Sequence, residues 1–171
     1  MSSSEQELGT VEPEIAMAMA KEATEEALAM PVAEPIGGGP VVGIIMSAES
    51  DRETMEKAGE VLKEAEIPFE VEVMSAHRDP ARVADYCSTA RRRGLRIIIA
   101  GAGVSAALPG VAAAHTDLPV IGVPLTSSLT AAGGLDAILS IVQMPPGVPV
   151  AAVGLDNAKN AGHLAVRILQ A

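Results

Sequence analysis

Short runs of hydrophobic residues recur along the chain from residue 41 and alternate with segments of helical spacing. An uninterrupted run of four to seven such residues is typical of a strand buried on both faces. Hydrophobic residues three and four positions apart indicate helices packed on such a sheet. The pattern predicts strands at 41–46, 68–74, 96–100, 119–123 and 148–153, and helices at 51–66, 79–94, 108–115, 135–142 and 158–169.

Strands alternate with helices throughout this region, which favours a parallel sheet covered by helices on both faces. Five strands in this rhythm predict an α/β fold of three layers, with a flavodoxin-like parallel sheet in the order 2-1-3-4-5. The helix at 79–94 carries clear boundary signals. We expect Asp79 to be its N-cap, Pro80 to lie in its first turn and Gly94 to stop it.

Residues 1–40 differ from the rest of the chain in charge. They hold eight acidic residues and one basic residue, a net charge of −7 out of the total of −10. Helix formers fill 13–30 after Pro13, and three consecutive glycines in 31–40 indicate a linker. We therefore expect an acidic N-terminal extension at 1–40, with a helix at 13–30, and one α/β domain at 41–171.

Composition excludes several classes of function. With one Tyr, one Phe, no Trp and a negative net charge, the chain is not expected to bind nucleic acid. No hydrophobic run reaches the ~18 residues of a membrane span. The single cysteine, Cys87, excludes an internal disulfide, fits a reducing cytoplasm and is expected to be buried in a helix. The three histidines are far apart in sequence and no cysteine accompanies them, so we expect no metal site.

Polar and glycine-rich residues follow the predicted strands, at the sheet edge where ligands bind in such folds. We expect the loops 47–51, 75–79, 101–105 and 124–128 to converge on one pocket. In the first loop, Ser47 and Ser50 offer hydroxyl donors and Asp51 offers an acceptor for a sugar hydroxyl. The helix that follows also presents N–H groups to an anion. The alternative, equally open, is that Ser50 or Asp51 simply caps that helix.

His77 and Arg78 in the second loop are the strongest candidates for chemistry. A histidine beside a fixed positive charge suits proton transfer combined with carboxylate or phosphate binding. The alternative is a solvated loop pair without function. In the third loop, Gly101-Ala102-Gly103 lets backbone approach a ligand closely. It is not a dinucleotide fingerprint, because the third glycine is missing from its spacing and no acidic residue ends the second strand.

Taken in order, these motifs resemble the PurE family, the N5-carboxyaminoimidazole ribonucleotide mutases and related aminoimidazole ribonucleotide carboxylases of purine biosynthesis. The resemblance covers about 41–171. Two motifs in particular are highly specific for the family, Ser75-Ala76-His77-Arg78 and Ser140-Ile141-Val142-Gln143-Met144-Pro145. The other motifs that carry it are Ser50-Asp51, Ala100-Gly101-Ala102-Gly103, Leu108-Pro109-Gly110, Gly122-Val123-Pro124, Gly147-Val148-Pro149-Val150 and Asn160-Ala161.

The resemblance implies an octamer with sites built between subunits, a small-molecule substrate, and no metal, nucleotide or flavin cofactor. It makes His77 the residue that moves a proton while CO₂ leaves a nitrogen, stays in the pocket and joins an imidazole carbon. Arg78 after the histidine, where a lysine would indicate the carboxylase branch, resembles the mutase branch. The substrate-binding residues that residues and resemblance together predict are Ser47, Ser50, Asp51, Ser75, Ala76, Arg78, Gly101, Ala102, Gly103 and Leu108.

The chain departs from the family pattern at the pocket. Ala48 stands where the first loop of the family has a serine, and Glu49 puts a negative charge beside the expected anion site. Val104 and Ala107 replace a glycine and a second histidine, and Asp79 replaces a threonine. Two alternatives to the purine enzyme therefore stay open. One is a PurE-like carboxylase or decarboxylase of a specialised pathway acting on another heterocyclic or acid substrate, and the other is a non-catalytic octameric scaffold.

Overall fold

The computed structural model describes residues 38–171, so residues 1–37 of the predicted acidic extension, with its helix at 13–30, lie outside the described residues. Five strands and five α-helices alternate along the described chain. The strands are β1 Val42–Met46, β2 Phe69–Val73, β3 Ile97–Gly103, β4 Val120–Leu125 and β5 Ala151–Ala152. The helices are α1 Arg52–Glu64, α2 Pro80–Thr89, α3 Ala107–Ala114, α4 Leu135–Val142 and α5 Ala158–Gln170.

The strands form one parallel sheet in the order β2-β1-β3-β4-β5, which confirms the predicted topology. The chain order reverses between β1 and β3, which lie side by side at the centre. Met46, the last residue of β1, lies opposite Val73 of β2 and Gly101 of β3. The loops that leave β1 and β2 therefore start next to each other.

Helices cover the sheet on both faces, and each face has its own hydrophobic core. On one face α1 and α5 pack against the sheet and against each other. Gly162 of α5 permits this close approach, because a Cβ there would lie 2.8 Å from the Ala58 carbonyl oxygen and 2.9 Å from Val61 Cβ. On the other face lie α2, α3 and α4, and Cys87 of α2 is buried in the core there, as predicted.

The boundary signals of the second helix are confirmed. The Asp79 side chain accepts a hydrogen bond from the Arg82 amide at 3.4 Å, and Pro80 is the first helical residue. Gly94 adopts a left-handed φ of +101° and ends the segment. The α-helix itself ends earlier than predicted, at Thr89, and a 3₁₀ turn at Arg91–Arg93 completes the connection.

Three predicted strand lengths are wrong. β3 continues to Gly103 and β4 to Leu125, because their backbones keep pairing beyond the hydrophobic runs. β5 is only two residues long, and Pro149, which has no N–H to donate, precedes it. Within residues 38–171, no helix combines the length and the apolar character needed to cross a membrane.

Candidate active site

The first two loops and the end of β3 meet at the carboxyl edge of the sheet. The Ser47 amide donates to the Gly101 carbonyl at 3.2 Å, and the Met74 amide donates to the Met46 carbonyl at 2.9 Å. The sheet pairing thus continues one residue beyond β1 and beyond β2. These bonds fix the starting points of the loops at 47–51 and 75–79, so their side chains share one region of the surface.

The second loop is a tight turn closed by Ser75. Its hydroxyl accepts a hydrogen bond from the Arg78 amide at 3.3 Å, and its carbonyl accepts one from the Asp79 amide at 2.8 Å. Ala76, half-buried, and His77, exposed, form the tip of the turn. His77 has no hydrogen-bond partner within residues 38–171, so both nitrogens of its imidazole are available to a ligand.

Arg78 joins the second loop to the first. Its Nη2 donates to the Ser47 carbonyl oxygen at 2.7 Å, although the two residues are 31 positions apart in sequence. The guanidinium also acts electrostatically on the Asp51 carboxyl. Since a guanidinium has five N–H donors, the bond to Ser47 leaves others for an anionic ligand.

Asp51 folds back onto its own loop. Its Oδ2 accepts from the Ala48 amide at 3.1 Å, and its Oδ1 accepts from the Ser50 hydroxyl at 3.4 Å. Burial raises the pKa of this carboxyl, although both hydrogen bonds and the charge of Arg78 act to lower it. Asp51 thus closes the 3₁₀ turn Glu49–Asp51 and makes no side-chain cap to α1. The alternative that Ser50 or Asp51 caps a helix is therefore correct for this short 3₁₀ turn and wrong for α1.

The third loop begins at Val104, and its predicted start at Gly101 is wrong because residues 101–103 belong to β3. Packing explains why two of these positions are glycine. A Cβ at Gly101 would collide with the Met55 sulfur, and one at Gly103 would lie 2.7 Å from the Leu125 carbonyl oxygen. Ala102 is 2% exposed and Leu108 is 1% exposed, so both residues are almost inaccessible from the surface of this chain.

Val104 has an unusual backbone conformation for a β-branched residue. Its φ is +56°, in the left-handed region that glycine favours, and its side chain is exposed. Ala107, the first residue of α3, follows in the same connection and is half-buried. Two of the departures from the family pattern therefore lie on one connection, at the end of β3.

Asp156 anchors the fourth loop, at 124–128, through two hydrogen bonds, and the sequence interpretation did not identify it. Its Oδ1 accepts from the Thr126 amide at 2.8 Å, and its Oδ2 accepts from the Thr126 hydroxyl at 2.6 Å. Asp156 itself has a left-handed φ of +55°. Its only sequence signal is its position just after the predicted fifth strand, where the sequence interpretation placed no site residue.

Taken together, the edge presents an exposed imidazole, a guanidinium with free donors and several hydroxyls. That combination suits proton transfer on an anionic small molecule. In the described part of the chain, no three His, Cys, Asp or Glu side chains are grouped so that they could hold a metal ion. Two shallow grooves, of about 650 and 200 Å³, lie at the opposite edge, near the amino ends of the strands.

Comparison with known proteins points to one family. The model of the AIR carboxylase family matches residues 41–171. An N5-carboxyaminoimidazole ribonucleotide mutase of Pyrococcus abyssi is 57% identical over 132 residues, which is 77% of this chain and 75% of that protein. The mutase of Aquifex aeolicus is 60% identical over 131 residues, 76% of this chain and 77% of that protein.

A solved structure agrees with the fold. The crystal structure of Treponema denticola PurE superimposes with a TM-score of 0.65 at 32% sequence identity. The match covers 75% of this chain and 79% of the Treponema chain. The similarity therefore extends across the sheet and the helices on both of its faces.

Proposed function

The chain belongs to the AIR carboxylase family, and we propose on that premise that it is a mutase of purine biosynthesis that moves a carboxylate group on an aminoimidazole ribonucleotide. The observation that carries the proposal is the bond from Arg78 to the Ser47 carbonyl. It brings the proton-transfer candidate, His77, beside the first loop, where we place the ribose phosphate end of the substrate. Identities of 57% and 60% with mutases favour this substrate over the two alternatives that the sequence left open.

His77 acts as both acid and base in the proposed reaction. The bond between the exocyclic nitrogen and the carboxyl group breaks, and protonated His77 donates a proton to that nitrogen. The CO₂ released stays in the site, and the neighbouring ring carbon attacks it to form a carbon–carbon bond. Neutral His77 then takes the proton from that carbon, so protons and electrons balance over the cycle.

The remaining predicted residues hold the substrate in this proposal. Arg78 binds the carboxylate, because a guanidinium matches a carboxylate with two parallel hydrogen bonds. Ser75 shapes the turn that presents Arg78, as its bond to the Arg78 amide supports. Ser47 and Ser50 offer hydroxyl donors at the ribose phosphate end, and Asp51 accepts a hydrogen bond from a ribose hydroxyl. The edge of β3 at Gly101–Gly103, with Ala76, forms the wall against which the imidazole ring of the substrate lies, and Leu108 is buried in that wall.

Replacement of the proposed proton carrier tests the reaction. His77→Asn keeps a polar side chain of similar size but cannot exchange protons, so conversion of the N-carboxylated to the C-carboxylated ribonucleotide should fall by about 10²–10⁴-fold. His115→Asn is the matched control, because His115 is also exposed but follows the carboxyl end of α3, at the other edge of the sheet. A folded wild-type protein that does not convert the ribonucleotide would refute the proposed function.

We also propose that the protein is a cytoplasmic homo-octamer. Three hydrophobic side chains of α4 support assembly, because Leu135, Leu139 and Val142 are each close to half exposed. Leu129, in the loop before α4, is 76% exposed. Sedimentation equilibrium should give the mass of eight chains, and the mass of one chain would refute the assembly. Cell fractionation tests the compartment, which the free thiol of Cys87 fits.

A further inference from the structure

Glu49 and Arg52 form a two-bonded ion pair on the first loop. Arg52 Nε donates to Glu49 Oε1, and Arg52 Nη2 donates to Glu49 Oε2 at 3.0 Å. A third charge, the Glu56 carboxylate, lies 3.6 Å from Arg52 Nη1. The Arg52 side chain is 38% exposed and that of Glu49 is 68% exposed. An ion pair so exposed contributes little to stability, so Arg52 can exchange partners at low cost.

The loop itself offers few free side-chain donors to a phosphate. Ala48 has no side-chain donor, and its amide already donates to Asp51 Oδ2 at 3.1 Å. The Ser50 hydroxyl donates to the other oxygen of the same carboxylate. Ser47 keeps its hydroxyl, and its carbonyl is held by Arg78. A neighbouring side chain would therefore give a phosphate at this loop a donor that the loop's own side chains do not supply.

The charges of the loop create the same need. A phosphate monoester carries roughly −1.5 to −2 at neutral pH. Glu49 and Asp51 both lie in the 3₁₀ turn, so carboxylates would repel that charge. Arg52 is the cation attached to this turn from the side of α1, as Arg78 is from the side of β2. A guanidinium binds the two oxygens of a phosphate in the geometry it uses for a carboxylate.

From these contacts, and resting on the proposed function, we propose that Arg52 is a specificity-determining residue that binds the substrate phosphate, with Glu49 as its partner when the site is empty. On binding, the guanidinium leaves Glu49 for the phosphate oxygens. Glu49 therefore competes with the substrate and weakens its binding. The preference for a phosphorylated ligand comes from Arg52. The site depends on Arg52 because Ala48 has no side-chain donor to offer in its place.

A simpler role for Arg52 predicts a different result. Suppose first that Arg52 only neutralises Glu49. Removing Arg52 then weakens phosphate binding because the Glu49 carboxylate is left unpaired, and it has no effect on affinity once Glu49 has also been made neutral. If Arg52 contacts the phosphate, its removal weakens binding whether or not Glu49 is charged. A double-mutant cycle separates the two roles.

The experiment measures the dissociation constant of the C-carboxylated aminoimidazole ribonucleotide, and of its nucleoside without the phosphate, by calorimetry on the full chain. We expect Arg52→Met to weaken ribonucleotide binding about tenfold, as the loss of one charged hydrogen-bond partner would. Glu49→Gln should tighten it about threefold, since a competing carboxylate is removed. In the Glu49→Gln background, Arg52→Met should still weaken binding about tenfold or more, and nucleoside binding should stay within about twofold throughout.

Two further variants complete the test. Arg91→Met is the matched control, because Arg91 is an exposed arginine paired with Asp117 at 2.9 Å at the other edge of the sheet. It should leave both dissociation constants unchanged. Ala48→Ser, which gives the loop a new hydroxyl, should recover part of the affinity lost in Arg52→Met. Circular dichroism of each variant confirms that the protein compared is folded.

The outcomes distinguish this proposal from the proposed function. If wild-type protein binds and converts the ribonucleotide but Arg52→Met binds it equally well, only the role of Arg52 is refuted. The same holds if the effect of Arg52→Met disappears in the Glu49→Gln background. If wild-type protein binds the ribonucleotide without converting it, the proposed function fails, and the cycle still decides the role of Arg52. A wild-type protein that does not bind the ribonucleotide refutes both.

Discussion

Val104 stores backbone strain at the edge of the candidate site, and replacing it should reveal that strain. Its φ of +56° places Cβ against the following carbonyl oxygen, which costs about 1–2 kcal/mol for a residue with a side chain. Glycine removes this cost but gains about 0.4–1 kcal/mol of conformational freedom in the unfolded state. The difference predicts that glycine at 104 is more stable than alanine at 104 by about 0.5–1 kcal/mol.

Comparing Val104→Gly with Val104→Ala isolates the strain. Both variants lose the two Val104 methyl groups, so lost packing affects them equally, and they differ only in Cβ. Urea unfolding followed by circular dichroism gives the free energy of unfolding of each variant, at one protein concentration because assembly adds to stability. The glycine variant should also melt about 2–3 °C higher.

A position with ordinary helical geometry serves as the control. Lys57 is exposed within α1, where glycine is about 1 kcal/mol less favourable than alanine. Lys57→Gly should therefore be less stable than Lys57→Ala, the opposite sign to position 104. If Val104→Ala proves at least as stable as Val104→Gly, no strain is released there and the reasoning from φ is wrong.

Two other predictions concern the cores. Gly162→Ala should lower the free energy of unfolding by about 1–3 kcal/mol, because its Cβ would lie 2.8 Å from the Ala58 carbonyl oxygen and force α1 and α5 apart; an unchanged urea midpoint would contradict this. Burial raises the pKa of the Cys87 thiol to about 11, so at pH 8 the folded protein should have roughly one hundredth of the thiolate of the unfolded chain. Because Cys87 is the only cysteine, alkylation rates of folded and urea-unfolded protein measure this directly, and equal rates would show that the thiol is accessible.

Local patterns in the sequence were enough to predict the order of the sheet and the position of the central chemistry. The strand order follows from the alternation of buried runs and amphipathic helices, which the sheet order confirms. Asp79 caps the start of α2 and Gly94 ends the turn that follows it. Both depend only on residues a few positions away, so the sequence was enough to predict them. His77 and Arg78 lie in the loop that leaves β2, and parallel strands bring all their carboxyl ends to one edge. Their catalytic and binding roles stay predictions.

Contacts between distant residues decided the rest. β3 extends to Gly103 because it pairs with β4, and the glycine at 101 is explained by Met55, a residue of α1. The bond from Arg78 to Ser47 spans 31 positions, and no local pattern specifies it. The left-handed φ of Val104 opposes the preference of its own side chain, so only the surrounding structure can impose it. The sequence by itself determined which elements form and in what order, because propensity and periodicity are local. The tertiary structure alone decided where strands end, which cations flank the first loop and where strain is held, because those depend on atoms far apart in the chain.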